Sequence, residues 1–123
     1  MPVRVLVLEP DVDLMESFQD HFAKSTEFHT RLTANGDECI ELLASFRPDV
    51  FVLEPVLPHG VADRILEAVQ NVPGRPYVPI LVLTRFSTHT TADHPAVKSF
   101  LVKPQSLKNI GDAIQGLAAD SRR

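Results

Sequence analysis

Three short runs with no polar residue constrain this chain most: Val5–Leu8, Val50–Leu53 (Val-Phe-Val-Leu) and Ile80–Leu83 (Ile-Leu-Val-Leu). A strand exposed on one side alternates apolar with polar residues. A strand that is apolar throughout is covered on both faces, as happens in parallel sheets flanked by helices. The stretch Phe28–Leu32 is more polar and alternates, so it reads as an edge strand, and Ser99–Val102 reads as a short last strand.

Helical stripes fill the gaps. Leu14, Phe18 and Phe22 recur four residues apart after a start marked by Asp11 or Asp13. Cys39, Leu42, Leu43 and Phe46 follow the turn signal Asn35-Gly36 and precede the breaker Pro48. Val61, Ile65, Leu66 and Val69 end at Pro73-Gly74, and Leu107, Ile110, Ile114 and Leu117 follow Ser106, a good helix cap. Between Phe86 and Lys98 no such stripe exists; the Thr/His-rich stretch is a poor helix former and Pro95 interrupts it. Strands alternating with helices predict one α/β domain, a doubly wound five-stranded parallel sheet with right-handed crossovers. The domain is expected over residues 1–118, with 119–123 as a tail or the start of a linker.

Composition narrows the function. The chain has 123 residues, enough for one core without disulfide or metal staples. Twelve Lys and Arg against sixteen Asp and Glu leave a net charge of −4 and no basic stripe, which argues against direct nucleic-acid binding. The single cysteine, Cys39, cannot form an internal disulfide and reads as a buried small hydrophobe. No apolar run is long enough for a membrane span or a signal-peptide core. These features together predict a cytoplasmic domain.

In doubly wound sheets the working site lies at the carboxyl ends of the strands. Those positions hold Glu9, Pro10 and Asp11 after the first strand, Glu54 and Pro55 after the third, Thr84 after the fourth, and Lys103 and Pro104 after the fifth. Carboxylates, a hydroxyl and an ammonium on one edge suit phosphoryl transfer to a carboxylate. Acidic oxygens hold Mg²⁺, one carboxylate is the nucleophile, and the hydroxyl and lysine take the phosphoryl oxygens.

With these residues in order, the sequence resembles the receiver domain of two-component response regulators over essentially its whole length. Arg47–Glu54 looks like the third strand leading to the phosphoacceptor, and Leu57-Pro58 like the dipeptide that follows it. Ile80–Thr84 and Phe100–Pro104 match the last two signature strands, and the gaps from Glu9 to Glu54 to Thr84 agree. The resemblance implies a flavodoxin-like (CheY-like) sheet of order 2-1-3-4-5. It places Glu54 at the phosphoacceptor position and Glu9, Pro10 and Asp11 at the acidic pair. Thr84, Phe100 and Lys103 fall at the switch and phosphate-contact positions.

The chemistry departs from that pattern. The family's phosphoacceptor aspartate is Glu54 here, and its second acid, normally a Mg²⁺ ligand, is Pro10, which has no side-chain oxygen. One added methylene moves a carboxylate by roughly 1–1.5 Å. A misplacement of about 1 Å costs on the order of a hundredfold in a positioned reaction. The expectation is therefore an atypical receiver, not an enzyme, with weak or absent phosphorylation and no resident cofactor. Any Mg²⁺ would be held weakly through Glu9 and Glu54. Glu54 is expected to reach Lys103 directly, with Thr84 close by, as a partial mimic of the phosphorylated state.

By descent the partners would be a sensor histidine kinase or phosphotransfer protein and an effector domain or protein, with a homodimer open. The conventional alternative is a Mg²⁺-dependent phosphoacceptor using Glu54 or Asp11. A remote one is a haloacid-dehalogenase-type phosphohydrolase built on Asp11-Val12-Asp13, Thr84 and Lys103. Against the latter, that Asp pair starts two residues late, and Arg85 and Phe86 stand where its last acidic motif belongs. The interval from Thr84 to Lys103 is also a few residues shorter than is usual in receivers. The helix between strands four and five is thus expected to be short, displaced or missing.

Overall fold

The structure, a computed structural model, describes residues 2–74, 77–86 and 93–121. Among these residues, strands β1 (Val3–Leu8), β2 (Phe28–Thr33), β3 (Val50–Leu53), β4 (Ile80–Thr84) and β5 (Val97–Val102) alternate with helices α1 (Val12–Ala23), α2 (Gly36–Ser45), α3 (Val61–Gln70) and α4 (Leu107–Ser121). The strands form a single parallel sheet in the order β2-β1-β3-β4-β5. The fold class and strand order agree with the sequence expectation. The helix expected to be degenerate falls largely on residues 87–92, which lie outside the described residues; of the described positions between β4 and β5, none is α-helical.

The apolar runs have the two-faced environment that their lack of alternation implies. Successive side chains of a strand point to opposite faces. Leu6, Leu8, Phe51, Leu53, Ile80 and Val82 meet Cys39, Leu43, Ile65 and Val69 of α2 and α3 on one side. Val5, Val7, Val50, Val52, Leu81 and Leu83 meet Phe18, Phe22, Ile110 and Ile114 of α1 and α4 on the other. Phe28 of β2 packs edge-on against Phe22, with ring centroids 5.1 Å apart, while His29 and Arg31 alternate with it and stay exposed. That alternation is the mark of an edge strand.

The helix starts follow the capping residues. Asp11 accepts from the Leu14 amide at 3.1 Å, Asn35 from the Glu38 amide at 2.9 Å, and Ser106 from the Asn109 amide at 3.0 Å. α3 has no side-chain cap and begins at Gly60, whose φ of 80° is costly for residues with a Cβ. α4 runs on to Ser121, beyond the end of its apolar stripe.

Cys39 is fully buried on α2, and burial, with a smaller contribution from the Glu38 charge, pushes its thiol up to about 12. The neutral thiol is thus favoured in the folded state. Its contribution to stability is complete below the unfolded pKa of about 8.5 and fades as pH rises from there toward 12. Iodoacetamide at mildly alkaline pH should alkylate Cys39 in urea-unfolded protein and leave it unmodified in native protein, as read by intact mass. Equal labelling of both states would show that α2 opens readily.

Candidate functional site

Four of the five strand ends, those of β1, β3, β4 and β5, each deliver one group to the carboxyl edge of the sheet. Glu9 follows β1 and is locked in register by its amide on the Thr33 carbonyl at 3.0 Å, and Glu54 follows β3 with its amide on the Leu8 carbonyl at 3.1 Å. Thr84 closes β4, and its carbonyl accepts from the Lys103 amide at 2.7 Å. Adjacent β1 and β3 therefore place the two carboxylates side by side, and the long lysine stem reaches across from β5.

Lys103 Nζ lies 2.7 Å from Glu9 Oε1 and 3.2 Å from Glu54 Oε1. The pairing of Glu54 with Lys103 was legible in the sequence; Glu9 as the nearer partner was not. The other carboxylate oxygens are occupied too. Glu9 Oε2 accepts from the Asp11 amide at 3.1 Å and Glu54 Oε2 from the Val56 amide at 3.3 Å. Side-chain exposure is 3% for Glu9, 9% for Glu54 and 12% for Lys103, so this is a shielded cluster of two carboxylates sharing one ammonium. Such pairs interact far more strongly than solvated ones.

The remaining positions divide. Thr84 is fully buried beside the cluster, and its Oγ1 has no hydrogen-bond partner among the described residues. Pro10 is exposed and brings no donor atom. Asp11 does not join the carboxylates: Oδ1 caps α1 and Oδ2 faces the exposed Arg85 at 3.8 Å. Phe100 is half-buried, beside Val82 in the sheet, and packs on the α2–α3 side of the core. A groove of about 460 Å³ opens beside the cluster, walled by Leu14, Leu83, Pro104 and Ile110 and reaching Asp11 and Lys103.

The donor set fits a divalent cation poorly. Among the described residues no three His, Cys, Asp or Glu side chains gather as a metal-ligating group. A hard cation needs several free oxygens, whereas one oxygen each of Glu9 and Glu54 is paired with the Lys103 ammonium and the other accepts from a backbone amide.

Comparison with known proteins agrees with the geometry. No family model matches the sequence. Protein Rrf1 of Nitratidesulfovibrio vulgaris is 28% identical over 87 residues, 71% of this chain and 62% of its own length. The response regulator MprA of Mycolicibacterium vanbaalenii is 28% identical over 113 residues, 89% of this chain and 48% of its own. The chain thus spans about half to three-fifths of the length of these relatives.

Among solved structures, the signal receiver domain of a LuxO repressor protein from Vibrio parahaemolyticus superposes with a TM-score of 0.82 at 14% identity, covering 99% of this chain and 94% of that one. The chemotaxis protein CheY4 of Vibrio cholerae gives 0.80 at 18% identity, covering 95% and 99%. The receiver domain of a sensor histidine kinase from Pseudomonas aeruginosa, which holds magnesium in its cleft, gives 0.75 at 16% identity, covering 97% and 99%. The sheet order and these superpositions give the chain the fold of receiver domains, and its sequence resembles the response regulator MprA over 89% of its length. Among the described residues no helix is long and apolar enough to cross a membrane.

Proposed function

We propose that this domain is an atypical receiver: a two-component signalling module that works by protein–protein contact, with phosphorylation at Glu54 slow or absent. The observation that carries this reading is the occupancy of the carboxylate oxygens. Glu54 gives one oxygen to Lys103 and the other to the Val56 amide, while Glu9 is held the same way by Lys103 and the Asp11 amide. A carboxylate tied to an ammonium is a poor nucleophile, because attack on phosphorus must first break that ion pair. With Pro10 at the second acidic position, metal assistance is weakened as well.

Glu54 then acts as a built-in anion on Lys103, a partial substitute for a phosphoryl group that lacks its full charge and third oxygen. By descent, the partners are a sensor histidine kinase or phosphotransfer protein on the input side and an effector domain or protein on the output side. The domain carries out no turnover of its own and needs no resident cofactor.

One observation favours a second reading. The buried Thr84 hydroxyl lacks a partner among the described residues, as would suit a hydroxyl kept for a phosphoryl oxygen, and it points to conventional Mg²⁺-dependent phosphorylation at Glu54. Acetyl phosphate or phosphoramidate with Mg²⁺ separates the two. The intact mass of the wild-type domain should stay unchanged over minutes. A stoichiometric phosphoryl adduct would establish the second reading instead.

A further inference from the structure

We propose that the free edge of β2 is a docking site for an extended peptide segment of alternating apolar and acidic residues, added to the sheet as a sixth strand. The inference is independent of the carboxyl-edge chemistry. It begins with the backbone. The Val3 amide donates to the Glu27 carbonyl and the Glu9 amide to the Thr33 carbonyl. In a parallel ladder this phase turns the odd-numbered residues of β2 toward β1. The amides and carbonyls of Phe28, Thr30 and Leu32 then point outward, and among the described residues nothing pairs with them there. An unpaired row of this kind is a template for strand addition.

The two faces beside that edge differ, and the difference defines the occupant. On the α1 side, Met15, Gln19, Phe22, Phe28, Thr30 and Leu32 line a groove of about 440 Å³, which His29 and Arg31 also border. The Thr30 hydroxyl is shielded there with no hydrogen-bond partner among the described residues. This side takes apolar or small polar residues. On the α2 side, His29 and Arg31 project from the strand beside Arg4, gathered around Phe46. The Arg4 guanidinium is 4.3 Å and that of Arg31 6.0 Å from the ring centroid, and His29 meets the ring edge-on at 5.3 Å.

Arg4 directs its guanidinium to the Phe46 carbonyl. The Arg31 guanidinium makes no hydrogen bond or ion pair with any described residue. The guanidiniums of Arg4 and Arg31 give this side its positive charge, and the Asp49 carboxylate lies on the Arg4 amide at 2.9 Å, on the β1 side of the cluster away from the open edge. An incoming strand places alternate side chains on the two faces, so its apolar residues meet the groove and its acidic residues meet Arg31 and His29. A second copy of this chain fits worse, because antiparallel pairing of β2 with itself sets His29 and Arg31 of one copy against those of the other.

The test uses the isotope-labelled full chain and two short capped peptides, one alternating valine with glutamate and one alternating valine with lysine. The glutamate peptide should shift the amide resonances of Phe28, Thr30 and Leu32 and slow their hydrogen exchange, less so as salt rises, while the lysine peptide leaves them unchanged. Arg31→Glu should exchange the two responses. Thr30→Pro deletes one outward amide at a position where an edge strand tolerates proline, and it should weaken binding about tenfold. If Thr30→Pro does not fold, Arg31→Glu alone decides the outcome. Silence of those amides at about millimolar peptide, equal response to both peptides, or slowed exchange that tracks dimerisation of the chain would each overturn the proposal.

Discussion

Replacing Lys103 with methionine should be the most damaging single change at the carboxyl edge, costing about 3–5 kcal/mol, the range for breaking a buried ion pair. The ammonium is 2.7 Å from Glu9 and 3.2 Å from Glu54, and both carboxylates are shielded from water. Without it, two buried negative charges face one another. Glu54→Gln should cost much less, within about 1 kcal/mol, because Glu9 still balances the lysine and the amide oxygen can still accept from Val56. Adding Glu9→Gln and Glu54→Gln to Lys103→Met should recover most of the loss, since no buried charge is left unpaired.

Urea unfolding of these variants reads the coupling directly. A Lys103→Met variant as stable as the wild type would mean that the three charges are independently solvated. The built-in anion reading of Glu54 would then lose its physical basis. With Glu54 as its sole counter-charge, Lys103 would make Glu54→Gln more costly than a surface substitution; the position of Glu9 moves the larger loss to Lys103→Met.

The second large effect concerns chemistry regained. Glu54→Asp together with Pro10→Asp should produce a domain that acetyl phosphate and Mg²⁺ label within minutes, at a rate at least about a hundredfold above wild type. The shorter side chain draws the carboxylate back by roughly 1–1.5 Å, away from the ammonium. The new acid beside Glu9 supplies the oxygen ligand that Pro10 cannot. Each single variant keeps one of the two defects and should stay near the wild-type rate. Full labelling of Glu54→Asp alone would show that Pro10 is no obstacle, and no labelling of the double variant would place the obstacle elsewhere in the cleft.

Much of this was readable from the residues. The four-residue runs at β1, β3 and β4 could only be strands covered on both faces, because no polar side chain in them needs water. The same runs then named the edge on which Glu9, Glu54, Thr84 and Lys103 had to meet. The helix starts at Asn35 and Ser106 were visible for a local reason, since a cap bonds within its own first turn.

What the tertiary structure decided depends on distances between segments far apart in sequence. That Lys103 bridges both acids follows from the neighbouring positions of β1 and β3 and from the reach of a lysine stem across β4, neither of which is a local property. Asp11 looked available to replace the missing acid. Its carboxylate instead caps α1 and faces Arg85, because the chain turns into the helix directly after Pro10. The unpaired outer row of β2 and the gathering of Arg4, His29 and Arg31 around Phe46 were equally hidden. A strand's own sequence carries its alternation, but which of its hydrogen-bonding edges stays open is set by the neighbour it pairs with.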